Sequence, residues 1–312
     1  MLTTLKRRAR KAVEFIRIGL NMDARLASID QHILNMDTQL ASIDQKIQKQ
    51  LLSHLRQRCT EDHIDFGRSI NDFGFRVYSQ YEEDGMLLYI YAAIGFQSKR
   101  VVEICAGDGR ECMATNLIIN HQFDGLLFDG NDQLVTAGQK FFASHRDTFR
   151  QPPSFQKAWI TTENVNDLLI HNDFIGDIDL LSLDVDGVDY WIWKAIEVVR
   201  PRVCVLETNN IIPSELSLTV PYSDDFDSSW QKPPPQQYFR GVSLKAMSEL
   251  SERKGYRLIG VNRLGFNAFF LREDVGVDVF PSVTVEQVHD NPQTRKARLA
   301  WPSVKEFPWV TV

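Results

Sequence analysis

Across residues 73–274, short apolar runs alternate with stretches of helical periodicity, and few folds accept that order. The runs at 101–105, 125–129, 155–160, 178–184 and 202–207 are each separated by enough chain for a helix. Strands linked in this way form a parallel sheet covered on both faces. The end of the pattern is different. After SLKAMSELSERKG, a helix stopped by Gly255, the runs YRLIGV and NAFFL are joined only by NRLGF. So short a link carries no parallel crossover, and the two runs are expected to pair antiparallel. The expected fold is α/β, a doubly wound, Rossmann-like sheet that is mostly parallel with an antiparallel last strand.

The start of the chain follows another rule. NMDARLASIDQHIL from Asn21 is followed at once by NMDTQLASIDQKIQ from Asn35, a repeat two heptads long. Met22, Leu26, Ile29, Ile33, Met36, Leu40, Ile43 and Ile47 alternate steps of four and three, so they share one helical seam. A lone helix would leave that seam in water. The pattern implies an N-terminal coiled-coil helix and a homo-oligomer formed through residues 20–55; the alternative is a helix folded back on its own domain. Ahead of it, Lys6, Arg7, Arg8, Arg10, Lys11 and Arg17 face only Glu14. A basic amphipathic helix of this kind binds anionic lipid at about 1 kcal/mol per basic residue, and the competing reading is a solvated helix start. The organisation is then a basic and coiled-coil helix at 1–60, a sheet domain at 61–275 with an insert at 211–241, and a tail at 276–312. Trp301, Phe307 and Trp309 are expected to pack that tail on the domain.

Charge and cysteine content narrow the partners. The net charge of −6 offers no global positive field for a nucleic acid. Cys59, Cys105, Cys112 and Cys204 show no metal or redox spacing, and no apolar h-region with a cleavage site opens the chain. The expected location is cytoplasmic, with peripheral membrane contact through the basic N-terminus as a variant. No run approaches the roughly 18 apolar residues of a membrane span.

In VVEICAGDGRE, an apolar strand runs into a turn holding Gly107 and Gly109 before a helix opens. In a doubly wound sheet the first strand-to-helix turn is where ligand and backbone meet closely. The next run, in GLLFDGND, ends in Asp129, an acid placed to accept hydrogen bonds from ribose hydroxyls. The spacing is not the full GxGxxG fingerprint. Nucleoside binding is the inference.

Here the chain resembles a known family, the class I S-adenosylmethionine-dependent methyltransferases, and within them the bacterial FkbM-like proteins. The residues that carry the likeness are SQYEEDG, EICAGDGRE, LLFDGND, ITTEN, DLLSLDVDGVDYWIW, CVLETNN and GYRLIGVNRLGFNAFFL, in that order over residues 78–271. The resemblance implies S-adenosylmethionine as cofactor and a methyltransferase sheet whose seventh strand is inserted antiparallel. It implies that Glu103 and the backbone of Ala106, Gly107, Asp108 and Gly109 hold the methionine part, that Asp129 binds the ribose, and that Thr161, Glu163 and Asn164 border the adenine. Where the family pattern has its first glycine this chain has Cys105, a residue the turn accepts if φ there is negative.

SLDVDGVDYW places Asp184 at a strand end with Asp186 and Asp189 just beyond, and VLETNN brings Glu207, Asn209 and Asn210 to the same edge. Carboxylates so close must be solvated, protonated or neutralised by a cation. Asp184, Asp186 and Glu207 are the candidate catalytic residues, with Asp184 as base. Asp184, Glu207 and Asn209 would supply hard oxygen ligands if Mg²⁺ is used. Asp189, Tyr190, Asn209, Asn210 and Tyr222 are the candidate acceptor contacts. Asp189 is equally suited to cap the helix YWIWKAIEVV, and Tyr190, Trp191 and Trp193 to core packing. His121 reads as a helix-end residue rather than a catalyst. The long, Pro-rich insert is expected to cover the acceptor with Tyr222, Trp230 and Tyr238. The resulting function is methyl transfer to a glycan or small-molecule hydroxyl. The alternatives are a non-catalytic Rossmann-like scaffold assembled by its coiled coil, and a nicotinamide-dependent oxidoreductase.

Overall fold

The computed structural model describes residues 43, 45–59, 69–226 and 232–312. The basic stretch, most of the heptad seam and Trp230 lie outside the described residues; residues 45–59 are helical. The chain divides into Met1–Leu51 and Leu52–Val312, and the sheet lies wholly in the second unit. Among the described residues no helix is long and apolar enough to cross a membrane.

Seven strands form the main sheet. Helix α1 (Glu83–Ile94) leads into β1 (Arg100–Ile104), followed by α2 (Met113–His121), β2 (Asp124–Asp129), α3 (Asp132–Ser144), β3 (Ser154–Lys157), α4 (Val165–His171) and β4 (Gly176–Leu183). Then come α5 (Asp189–Ala195), β5 (Val199–Glu207), the short β6 (Leu218–Thr219), α6 (Leu244–Arg253), β7 (Tyr256–Val261) and β8 (Asn267–Arg272). The order across the sheet is β3-β2-β1-β4-β5-β8-β7. The first five are parallel, and β8 runs antiparallel to both β5 and β7. The order reverses between β1 and β4, which opens a crevice at their carboxyl ends. Helices α4, α5 and α6 are neighbours on one face, while α1 and α2 meet on the other.

Local chemistry sets the element ends. Asn131 accepts from the N–H groups of Gln133 and Leu134 and so starts α3, and Ser243 accepts from Ala246 N to start α6. The strand expected at 202–207 begins earlier, at Val199, although it contains Pro201. Pairing with β8 stops at Val203, so on that side the missing proline N–H leaves no gap in the ladder. The strand expected at 155–160 is instead Ser154–Lys157. Ala158 keeps one last ladder bond, its N–H donating to Asp129 O at 3.0 Å, and the chain then turns out so that Ala158, Trp159 and Ile160 line a cavity.

At the opposite end of the sheet Asp179 of β4 is fully buried and pairs with Arg202 of β5 at 2.8 Å. The same carboxylate accepts from Gln97 N and Lys99 N, and Arg202 donates to the carbonyls of Ile94 and Gly95. His121 ends α2 buried, its ring 5.5 Å from Phe96, while the left-handed cap is Gln122 at φ 62°. The tail does pack back. After α7 (Val285–His289) and α8 (Pro292–Ala297), β9 (Val310–Thr311) pairs antiparallel with β6. Phe239 meets Phe307 and Trp309 at centroid distances of 5.3 and 4.7 Å, with Trp301 5.8 Å from Trp309.

Candidate active site

The turn after β1 is wound tightly. Cys105 N and Ala106 N both donate to Phe128 O at 2.9 Å, which lays the turn across the end of β2. Gly107 and Gly109 adopt φ of 59° and 74°. A Cβ at Gly107 would meet nothing within 4 Å, so its backbone faces open space where a ligand can approach. Cys105 corrects the sequence expectation: its φ is 71°, not negative. A side chain in that region costs about 1–2 kcal/mol, so the glycine of the family pattern is replaced at a strained position. Cys105 is exposed by its accessible surface, yet desolvation by the surrounding loops, and then the carboxylates of Asp129, Asp184, Asp186 and Asp189, push its thiol pKa up, which leaves it a neutral donor beside Asp129.

Glu103 turns to the start of a helix. Its buried carboxylate accepts from Met113 N at 3.1 Å, Ala114 N at 2.6 Å and Cys112 Sγ at 3.0 Å, which closes the open N-terminus of α2. Burial still outweighs these bonds and raises its pKa to about 7. Asp108 folds back on Arg110 at 2.7 Å. Asp129 accepts from Gly107 N at 2.9 Å through Oδ2 and from Asn131 N at 2.8 Å through Oδ1. The Cys105 thiol is a third donor to this carboxylate, which leaves one lone pair for a further partner. Burial shifts this carboxylate upward.

Asp129 borders a cavity of about 80 Å³ with Cys105, Gly130, Trp159, Ile160, Val185, Val188 and Phe226. Trp159 and Ile160 are in the wall, whereas Thr161, Glu163 and Asn164 are not. Those three serve the loop: Asn164 accepts from Thr161 N and donates to Trp159 O, and Glu163 is exposed.

A second cleft of about 240 Å³ lies beside it, lined by Gln80, Tyr81, Asp184, Asp186, Glu207, Asn209, Asn210, Arg240 and Phe266. Oxygens of Asp184, Asp189 and Glu207 come within 4.8 Å of one another. Burial and Asp186 raise Asp184 to about 6. Burial and then Asp184 drive Glu207 well above the carboxylate range, so Glu207 keeps its proton and donates it to Asp184. The cluster thus relieves its repulsion with a shared proton. Asp186, at φ 57°, is paired with Arg240 at 2.5 Å.

Several expected contacts take other roles. Asp189 is fully buried, and its two oxygens accept from Val185 N at 2.8 Å and Gly187 N at 2.9 Å, so it is a strut for the loop and not an acceptor contact. Tyr190 is buried, its hydroxyl accepting from Arg253, and Trp193 belongs to the core. Asn209 donates to the carbonyls of Tyr238 and Arg240 and accepts from Ile211 N. Its carbonyl oxygen already accepts one backbone N–H, and the group whose oxygens meet those of Asp184 and Glu207 is Asp189 rather than the Asn209 expected for Mg²⁺. Asn210 donates to Leu264 O at 2.8 Å. Tyr222 sits on the cavity side, accepting from Thr162 N at 2.9 Å, so the first arm of the insert covers the Asp129 cavity, while the two ends of the insert, Ile211 and Arg240 with Gly241, line the second cleft.

Gln80, Tyr81, Arg240, Trp159 and Phe226 were not singled out from the sequence. Gln80 and Tyr81 lie within SQYEEDG, and the structure shows why that stretch holds its form. Buried Asp84 accepts from Val77 N, Tyr78 N and Ser79 N, each at 2.7 Å, and Glu83 accepts from Tyr81 N. Gly85 is required there, because a Cβ would lie 2.2 Å from Phe73 O. Arg240 and Trp159 had no such signal, since each is placed by a loop that folds back over the sheet end.

No family model matches the sequence, and no curated protein does. Among solved structures the chain is similar to a S-adenosylmethionine-dependent methyltransferase from Clostridium acetobutylicum ATCC 824, at 10% identity over 72% of this chain and 97% of that one, with a TM-score of 0.37. It is similar to the N-terminal domain of EvdMO1 with SAH bound at 14% identity, 70% and 96% coverage and a TM-score of 0.42. For the glycopeptide N-methyltransferase MtfA complexed with S-adenosyl-L-methionine the values are 11%, 57%, 82% and 0.33. Likeness at this level assigns neither activity nor substrate, and what the chain's own sheet order establishes is a Rossmann-like α/β fold.

Proposed function

We propose that the protein transfers a methyl group from S-adenosylmethionine to a hydroxyl oxygen of a glycan or small molecule. One observation carries the reading. The loop after β4 sends Val185 and Val188 into the Asp129 cavity and Asp184 and Asp186 into the neighbouring cleft, so two ligand sites share one thin wall. That is the arrangement a direct group transfer between two bound molecules needs.

The residues fit the cofactor at its ribose: beyond its bonds from Gly107 N, Asn131 N and the Cys105 thiol, Asp129 keeps one free lone pair, and the turn at Gly107 is open to it. When bound, S-adenosylmethionine supplies an electrophilic methyl group. Gln80, Tyr81 and Arg240 orient the acceptor in the second cleft. Asp184, ionised above about pH 6, takes the hydroxyl proton as the oxygen attacks, while Glu207 stays protonated and steadies the resulting charge balance. Ordered positioning supplies most of the rate and one base adds about 10²–10⁴.

The test is the melting temperature with S-adenosylmethionine, S-adenosylhomocysteine, NAD or no ligand, each with and without Mg²⁺. A ligand at about 100 times its Kd adds roughly 2.7 kcal/mol and raises Tm by several degrees. A rise with the first two, independent of Mg²⁺, supports the reading; a rise with NAD alone overturns it. No rise with any ligand favours the scaffold, the reading to which the strained Cys105 at φ 71° belongs.

A further inference from the structure

The insert is a loop with a fixed stem and a strap laid over the Asp129 cavity. Val220 N donates to Gly241 O at 3.1 Å, and Trp191 Nε1 donates to Val220 O at 2.9 Å, which ties the stem to α5. Beyond the stem, contacts of Tyr222, Asp224 and Phe226 hold the strap Tyr222–Phe226. The Tyr222 hydroxyl accepts from Thr162 N at 2.9 Å, donates to Asp224 Oδ1 at 2.5 Å and lies 3.3 Å from Glu163 Oε2, and its ring meets Trp191 edge-on. Trp159 Nε1 donates to Asp224 O at 2.5 Å. The Phe226 ring rests on Gly187, where a Cβ would lie 2.3 Å from it.

Under the strap the cavity measures about 80 Å³. Sites for ligands of nucleoside size and above span roughly 300–1,000 Å³. Asp129 and the open turn are therefore in place, but the cavity beside them, walled on one side by Ser223, Asp224 and Phe226 of the strap, is too small for a nucleoside. Trp159 lies over Gly130, next to Asp129, and is 61% exposed, which is unusual for the largest aromatic side chain and suits a stacking surface. The strap's bond to Trp159 is at the surface and its bond to Thr162 is half-buried, and a single bond of either kind is weak enough to be exchanged for a ligand.

Resting on the reading of the Asp129 cavity as a nucleoside site, we propose that the strap Tyr222–Phe226 is a latch: a nucleoside ligand displaces it from Trp159, and the indole then stacks on the base. A protein whose binding-competent state is only partly populated shows a weakened apparent affinity, so loosening the latch tightens binding. A strap that is simply a finished wall of the site behaves in the opposite sense.

The experiment is a calorimetric titration of the full chain and its Tyr222→Phe variant with S-adenosylhomocysteine and with adenosine, paired with hydrogen exchange over residues 220–226. The substitution removes the hydroxyl that holds Thr162 and Asp224. The latch requires a Kd lowered roughly fivefold in the variant, faster exchange of the strap in the free variant, and faster strap exchange in the wild type once ligand is added. An equal or higher Kd in the variant, with strap exchange slowed by ligand, overturns it. If neither protein binds either ligand while exchange shows the strap released in the variant, the nucleoside reading has failed and the latch falls with it.

Discussion

Asp129→Asn is a near-isosteric change whose cost follows from two hydrogen bonds. In the wild type Oδ2 takes Gly107 N at 2.9 Å and Oδ1 takes Asn131 N at 2.8 Å. An amide presents one oxygen and one NH₂, so in either orientation an NH₂ faces a backbone N–H and one donor is orphaned. In the proposed complex a charge-assisted bond to a ribose hydroxyl is also lost or weakened, worth about 1.5–3 kcal/mol. Taking the low end because the site opens to solvent gives about 1.5 kcal/mol, or roughly tenfold in Kd for S-adenosylhomocysteine by calorimetry. Asp184→Asn, across the loop in the other cleft, is expected to change that Kd by less than about threefold. Binding within about fivefold of wild type by a folded Asp129→Asn would refute the ribose assignment. Equal losses in both variants would mean that the two carboxylates serve one ligand rather than two.

Three further outcomes are expected. Because Asp184 acts ionised and burial with Asp186 raises it to about 6, kcat/KM should climb about tenfold per pH unit below 6 and level off above it; a flat profile from pH 5 to 8 contradicts the base. Glu103 has a folded pKa of about 7, above the ordinary carboxylate value of 4.5, so its contribution to stability is full below about pH 4.5 and is lost as pH rises through 7. That amounts to about 3 kcal/mol, and denaturant unfolding of Glu103→Gln at pH 5 and pH 8 should show a smaller difference than wild type. Asp179→Asn strands buried Arg202 and the N–H groups of Gln97 and Lys99, so unfolding should cost about 3–5 kcal/mol less and Tm should fall by roughly 6–10 °C; a loss under 1 kcal/mol would show that the buried pair contributes little.

The sheet was legible because its signals are local and repeated. Apolar runs near 101, 125, 178 and 202 admit little besides buried strands, and the five-residue link between YRLIGV and NAFFL leaves only an antiparallel pair. Pro201 obscured the start of β5 because whether a strand tolerates proline depends on which neighbour is absent at that level. The site was legible in part. Asp129 and Asp184 are placed by strand ends, and a strand end is visible in one dimension. Asp189, Asn209 and Tyr190 carry the same residue types as ligand-binding groups, but their partners are backbone groups and an arginine that only folding brings near.

The sequence by itself determined the α/β class, the glycine turn after the first strand and the acid ending the second, since each follows from the side-chain pattern of a single segment and its immediate neighbours. Tertiary structure alone decided that Cys105 is held at positive φ, that Glu207 shares a proton with Asp184, that Arg240 answers Asp186, and that the insert lies over the Asp129 cavity. The physical reason is range: hydrophobic periodicity acts over a few residues along the chain. Burial, charge coupling and loop contact depend on groups tens of residues apart that meet only at the carboxyl ends of the finished sheet.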